Sequence, residues 1–110
     1  MWQEAWNTLE LIPADQQGQP RVLRLRLRCC AELDGWAVGL VFATILQSGG
    51  PKDRRAAAMF FKSLAQREVR LNRLPQARSA IRMAIKAWSE IRLPILADSS
   101  LCVVAAAALP

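Results

Sequence analysis

The stretch RVLRLRLRCC, residues 21–30, decides the fold of this chain. Within it leucines alternate with arginines, namely Leu23, Leu25 and Leu27 with Arg24, Arg26 and Arg28. Read locally, this alternation is typical of a half-buried β-strand with leucines on one face and arginines on the other. A strand needs a partner, however, because a lone strand leaves its backbone hydrogen bonds unmade.

The surroundings of this stretch favour a helix instead. The chain has no second alternating segment, and no Asn-Gly or Asp-Gly hairpin joins two strand-like runs. The apolar arc also continues past the arginines to Leu33, which a helix explains and a strand does not. Leucine and arginine are both good helix formers. We therefore predict a helix over residues 20–33.

The rest of the chain also divides into helical segments between turn-forming residues. The predicted helices cover residues 1–12, 36–47, 53–71 and 74–88, with Asp53 as the N-cap of the third of these four. Residues 93–110 are less regular and predict a capping helix or a tail. The expected fold is all-α, with a helical domain at 1–92 and the capping segment at 93–110.

The charge of the chain is positive and unevenly distributed. The formal net charge is +6 and the pI is about 10.3. Residues 52–92 hold eleven Lys or Arg and only three Asp or Glu. A regional excess of this kind favours acidic partners, such as nucleic acid, an anionic surface or an acidic peptide.

Several classes of function are disfavoured by the residues that the chain lacks. It has no histidine, so the commonest general base is missing, and no nucleophile or phosphate-binding motif occurs. Its three cysteines, Cys29, Cys30 and Cys102, predict reduced thiols rather than a zinc site. The longest apolar run, residues 36–46, is too short to span a bilayer. We expect a cytoplasmic non-enzyme without a cofactor.

A weak internal repeat is visible along the chain. Residues 2–12 align with 36–46 at an offset of 34 residues, and Gly39 then aligns with Ala77 at a larger offset. Each helix start carries a small residue, at Ala5, Gly39 and Ala77, which allows two helices to approach closely. A period of 34 residues with two helices per unit is that of tetratricopeptide repeats.

On these residues the chain resembles the tetratricopeptide repeat family over roughly residues 2–89. The apolar pair Leu23 and Leu27 before a turn and the repeat-closing Pro51 fit the pattern, whereas Glu68 stands where an aromatic is usual. The opening WQEAW, residues 2–6, is similar to that of small bacterial members. The resemblance implies antiparallel helix pairs stacked as a short right-handed superhelix. It also implies repeat-packing roles, assigned to Ala5, Leu23, Leu27, Gly39, Ala65 and Ala77.

The resemblance further implies a scaffold that binds other proteins through a concave groove. The groove residues carried over by position are Arg21, Arg24, Arg28, Lys62, Gln66 and Arg70. Their positive charge suits the carboxylates of an acidic peptide or segment. Arg26 lies on the other side of its helix, where we expect it to be solvated or to extend along the surface.

Three alternatives stay open at this point. The basic region 52–92 would also attract nucleic acid non-specifically, although its aromatic residues sit at core-like spacings. A membrane-surface role is loosely compatible with residues 75–88, although a packed repeat helix fits equally well; the stripe Arg78, Arg82 and Lys86 on this helix, which the resemblance places on the convex side, is expected to be solvated surface. Exposed ends of a short solenoid, with Trp2, Trp6 and residues 102–110, favour self-association or docking on a larger partner.

Overall fold

A computed structural model describes residues 1–108, and throughout that range the chain is all-α, as predicted. Seven α-helices and two short 3₁₀ turns, Ala14–Gln16 and Ser89–Ile91, make up the secondary structure of the described residues. The helices are α1 (Trp2–Glu10), α2 (Pro20–Glu32), α3 (Trp36–Leu46), α4 (Pro51–Arg70), α5 (Leu74–Ala87), α6 (Arg92–Ala97) and α7 (Cys102–Ala108). None of the helices within residues 1–108 combines the length and the apolar character needed to cross a bilayer.

The deciding stretch is helical along its whole length. It lies inside α2, which ends one residue before the predicted helix. The predictions for α3 and α5 also agree with the structure to within one residue at each end. Pro20 and Pro75 lie in the first turns of α2 and α5, where a missing N–H costs nothing.

Two predicted boundaries are wrong. The first helix ends at Glu10 rather than at residue 12, and a 3₁₀ turn follows Pro13. Asp53 is not an N-cap, because α4 already begins at Pro51 and places Asp53 within its first turn. Proline suits that start because its fixed φ angle matches the helix, and an acidic residue in the first turn complements the helix dipole.

The sharp turns after α2 and α4 use left-handed residues. Asp34 has φ 58° and Asn72 has φ 56°, a region that Asp and Asn tolerate better than most side chains. After Asn72 the amide of Arg73 donates to the carbonyl oxygen of Glu68, which closes the end of α4. These residues set the tight helix–turn–helix connections that the sequence predicts.

The chain forms two compact units, which are Met1–Ala57 and Ala58–Pro110. In unit 1, α1 and α3 both pack on α2. Its core includes a cluster of Leu9, Val22 and Cys29, against which the rings of Trp2 and Trp6 pack. The arginine-rich helix is therefore the centre of unit 1.

In unit 2, α5 packs on α7 and on the 3₁₀ turn at Ser89–Ile91, and α6 packs on α7. Ile81, Ile91, Ile95 and Leu101 are fully buried there, so the irregular C-terminal segment contributes to a packed core. Residues 109–110 of the predicted capping segment lie outside the described residues. The division at residues 92/93 and the stacked superhelix stay predictions.

Candidate functional site

Arg26 lies at the centre of the buried face of α2, and its predicted solvated position is wrong. Only 7% of the residue is exposed. Its spacing explains the burial, because Arg26 follows Val22 by four residues and precedes Cys30 by four, and both are buried. The guanidinium stacks on the Trp6 ring, with Cζ 4.7 Å from the ring centroid.

The guanidinium nitrogens of Arg26 bind groups at and just after the C-terminal end of α1. Its Nη2 donates to the Gln17 side-chain oxygen and to the Leu9 carbonyl oxygen, the latter at 3.4 Å, and Nη1 pairs with Glu10 at 3.4 Å. The side-chain amide nitrogen Nε2 of Gln17 in turn donates to the carbonyl oxygens of Leu9 and Ile12, at 2.9 and 2.8 Å. The Leu9 carbonyl oxygen lies in the last turn of α1 and also accepts the Ile12 backbone amide at 3.2 Å, so the two side chains add further hydrogen bonds at the C-terminal end of α1.

Arg24, a predicted groove residue, also has an intramolecular partner. Its Nη1 donates to Oδ1 of Asp53 in the first turn of α4, within unit 1. Gly49 lies close to the same carboxylate, because a Cβ atom there would come within 2.8 Å of the Asp53 Cβ. The loop between α3 and α4 therefore leaves room for Asp53 only because residue 49 is glycine.

The two remaining groove arginines of unit 1 lie on the exposed side of α2. Arg28 covers the Trp2 ring, with Cζ 5.2 Å from the centroid. Arg21 donates from Nε to the Gln19 side chain at 3.2 Å. Arg21, Arg24 and Arg28 thus share a helix face as predicted, but each makes a contact within its own unit.

The other predicted groove residues, Lys62, Gln66 and Arg70, belong to unit 2. Gln66 donates to Oδ2 of Asp98 at 2.7 Å, and Lys62 lies near enough to act on the same carboxylate electrostatically. Hydrogen bonds from Ser100, then that from Gln66, and the charge of Lys62 hold the pKa of Asp98 below its ordinary value. Arg70 is exposed at the end of α4.

Glu68 forms a second acidic centre in unit 2. Its carboxylate is buried and pairs with Arg67 at 2.9 Å and with Arg73 at 3.8 Å. Glu68 thus connects the last turn of α4 to Arg73 before α5, at the position where the resemblance leads one to expect an aromatic residue. Besides Asp98 and Glu68, the Asp or Glu side chain that remains in unit 2 is the exposed Glu90.

The outward face of α5 is basic. Ala77, Ala80, Ile81, Ala84 and Ala87 form the buried stripe of this helix. Arg78, Arg82 and Lys86 follow one another by one turn on the other side, where Arg82 and Lys86 are exposed and Arg78 is half-buried. No Asp or Glu occurs between Leu74 and Ala87, so this face has no acidic neighbour within its own helix.

The predicted repeat-packing residues all lie at packed positions. Leu23, Leu27, Gly39, Ala65 and Ala77 are buried, and Ala5 is half-buried. Their role in stacking successive repeats stays a prediction, because burial within a unit is common to any helical core.

The two adjacent cysteines are structural. Cys29 and Cys30 are buried and free, whereas Cys102 is half-buried. Burial raises the pKa of the Cys29 and Cys30 thiols above the ordinary value, and the nearby Arg26 only partly opposes this. Thiols of this kind are poor nucleophiles because the thiolate is the reactive form.

Comparisons of this chain with models of protein families, with curated proteins and with solved structures found no match. The resemblance to tetratricopeptide repeats therefore stays a prediction.

Proposed function

We propose that this chain is a non-enzymatic protein–protein interaction module whose second unit binds an acidic segment of a partner protein. The observation that carries the proposal is the outward face of α5. Arg78, Arg82 and Lys86 line one side of that helix, which contains no carboxylate. Guanidinium and ammonium groups in a row suit the carboxylates of an extended or helical acidic segment.

The charge of the whole unit supports the same partner. Residues 58–110 contain eight Lys or Arg and three Asp or Glu, and two of those carboxylates bind side chains within the unit. Arg70, from the predicted groove, adds another exposed cation to unit 2. In unit 1, Arg24 and Arg26 bind groups that hold α1 and the start of α4, and a ligand would have to compete with those groups.

Nucleic acid is the second candidate, since phosphates are attracted by the same cations. Binding to single strands usually adds exposed aromatic rings on which bases stack. Phe60 and Phe61 are instead buried in unit 2, with ring centroids 5.9 Å apart. The proposal therefore favours a peptide over a nucleic acid strand.

The test is a pair of binding titrations with the full chain. A labelled peptide rich in Asp and Glu is compared with a single-stranded oligonucleotide of equal charge by fluorescence anisotropy. We expect tighter binding of the peptide, and a loss of at least about tenfold in the variant Arg82→Glu/Lys86→Glu, because each reversal replaces an attraction by a repulsion.

The matched control is Lys52→Glu/Arg54→Glu, which makes the same charge change on exposed residues of unit 1. We expect this control to change peptide affinity by less than about threefold, through long-range charge alone. Equal losses in both variants would mean that only net charge matters, and the proposed face would be wrong. Tighter binding of the oligonucleotide than of the peptide would favour the nucleic-acid function.

A further inference from the structure

The outward face of α3 is apolar and exposed. Val38, Val41 and Ile45 lie at positions i, i+3 and i+7 of one face, and they are 48%, 59% and 54% exposed. Leu40 is also exposed, but it lies about 100° from Val41 around the helix and is not part of this face. Single exposed apolar residues are normal, but a contiguous set along one helix marks an interaction surface.

This face offers a partner almost nothing but apolar contact. The sequence of α3, WAVGLVFATIL, contains no charged residue. Its one hydroxyl group, on Thr44, already donates to the Leu40 carbonyl oxygen at 2.7 Å. An acidic or basic partner would gain no ion pair here, so the complementary surface has to be uncharged and apolar as well.

We propose that the α3 face binds the α3 face of a second copy of this chain. The face can pair with itself across a two-fold axis that passes between residues 41 and 42, because Val38 and Ile45 lie at equal distances along the helix on either side of that point. A two-fold axis there makes the two helices antiparallel, places Val41 near Val41 of the other copy and brings each Ile45 over the Val38 of the other copy.

A depression beside Val38 supports this pairing. It has a volume of about 150 Å³ and is lined by Gln3, Trp6, Cys30, Leu33, Gly35 and Val38. An apolar cavity of roughly 150 Å³ holds a benzene molecule, so this depression has room for an aliphatic side chain. In the antiparallel pair the Ile45 side chain of the other copy approaches its rim.

The small net charge of unit 1 causes little electrostatic repulsion between two copies of this unit. Residues 1–57 contain seven Lys or Arg and six Asp or Glu, so this unit is nearly neutral although the chain carries +6. Pairing through unit 1 therefore avoids most of the repulsion that pairing through unit 2 would involve. Added salt, which screens the remaining repulsion, should strengthen the dimer, whereas it should weaken the binding of an acidic peptide.

The available area predicts a weak and reversible dimer. Burying one aliphatic side chain removes on the order of 100 Å² from water, so the three half-exposed side chains of this face offer roughly 150 Å². Stable interfaces bury about 800 Å² on each partner. The α3 face alone is therefore too small for a stable interface, and residues around it have to contribute to the contact. Even so, the interface is at the small end of the range known for protein dimers. We therefore expect the dimer to dissociate on dilution.

The first test is sedimentation of the full chain over a series of concentrations. We expect a monomer–dimer equilibrium in the wild type and a dissociation constant at least tenfold higher in Val41→Lys. The matched control is Leu93→Lys, which places the same group at a residue that is 75% exposed on α6. A wild type that stays monomeric at every concentration, or a dimer weakened equally by both changes, would overturn the proposal.

The second test locates the two-fold axis by disulfide formation. Val41→Cys is made in a Cys102→Ser background, so that the remaining native thiols, Cys29 and Cys30, are buried. We expect rapid cross-linking of two chains under mild oxidation, and no more than background cross-linking from Val103→Cys in the same background. Equal rates at the two positions would mean random collision and would contradict the pairing of α3 faces.

Discussion

Arg24 on α2 donates a hydrogen bond from Nη1 to Oδ1 of Asp53 in the first turn of α4. The pair is partly buried and joins α2 to α4 through two residues that lie 29 positions apart in the sequence. Together with Arg26, which caps α1, it gives the arginines of the deciding stretch a structural role. Two of the three arginines that alternate with leucine thus hold neighbouring elements of unit 1 in place.

The first prediction concerns this pair. We expect Arg24→Ala and Asp53→Ala each to lower the free energy of unfolding, and their coupling energy in a double-mutant cycle to be about 1 kcal/mol, since the pair is only partly exposed. Urea denaturation followed by circular dichroism measures it. Additive losses, with no coupling, would show that the contact contributes nothing to the stability of unit 1.

The second prediction concerns the buried Arg26. Arg26→Ala should cost about 3 kcal/mol, because it removes the cap of α1 and the stacking on Trp6 and leaves a cavity. Arg26→Met should cost less, since a methionine refills the volume and the ionic partner Glu10 is exposed. Arg21→Ala, at an exposed position of the same helix, serves as the control and should stay within about 0.5 kcal/mol.

Equal stability losses for Arg26→Ala and Arg21→Ala would contradict the buried position of Arg26. The intrinsic fluorescence of the four tryptophans reports the same event locally, because the Arg26 guanidinium covers the Trp6 ring. We expect a change in the emission spectrum of folded Arg26→Ala and none for Arg21→Ala.

The third prediction is a pH dependence that arises from Asp98. Its pKa is lowered in the folded state, chiefly by the Ser100 hydroxyl and then by Gln66, relative to an ordinary value of 3.8. The folded state therefore gains stability above that value and loses it as the pH falls through the folded pKa. Asp98→Asn should lower the free energy of unfolding by at most about 1 kcal/mol at neutral pH, because solvent screens this partly exposed carboxylate.

The stability difference between Asp98→Asn and the wild type should shrink as the pH falls below 3.8. Urea denaturation at a series of pH values measures the difference, and NMR titration of the carboxyl carbon gives the midpoint directly. A midpoint at or above 3.8 would contradict the hydrogen bonds from Ser100 and Gln66.

The fourth prediction concerns the thiols. Cys29 and Cys30 are buried with a raised pKa, so a thiol reagent at mildly alkaline pH should modify them slowly, and Cys102 faster. Mass spectrometry of partly labelled protein identifies the modified residue. Denaturant should bring all three thiols to a similar rate. Rapid labelling of Cys29 in the folded chain would contradict its position in the core of unit 1.

The helices were predicted well from the sequence because residues that favour helix starts and helix ends occur at their boundaries. Pro20 and Pro75 lie in the first turns of α2 and α5, and the left-handed residues Asp34 and Asn72 follow the ends of α2 and α4. The boundary at Asp53 was missed because aspartate is a common N-cap and proline a common first residue, and here both occur within three positions. Local preferences alone do not choose between them.

The positions of the arginines were harder to predict. Arg26 was expected to be solvated on the side of α2 away from the groove arginines, whereas helical spacing from Val22 to Arg26 to Cys30 places it among buried residues. That spacing was the available signal. The partners of Arg24 and Arg26 could not be predicted, because Asp53 and Gln17 reach them only through the tertiary fold. The exposed face of α3 was missed for a similar reason, since a run of apolar residues indicates burial all round.

The measurement that tests the proposed function most directly is an NMR titration of the ¹⁵N-labelled chain with an acidic peptide. We expect the backbone amide shifts to change mainly between Arg78 and Lys86, on the basic face of α5, and added salt to reverse the change. Shifts centred instead on Arg21–Arg28 of α2, or no shifts at a saturating concentration of peptide, would contradict it.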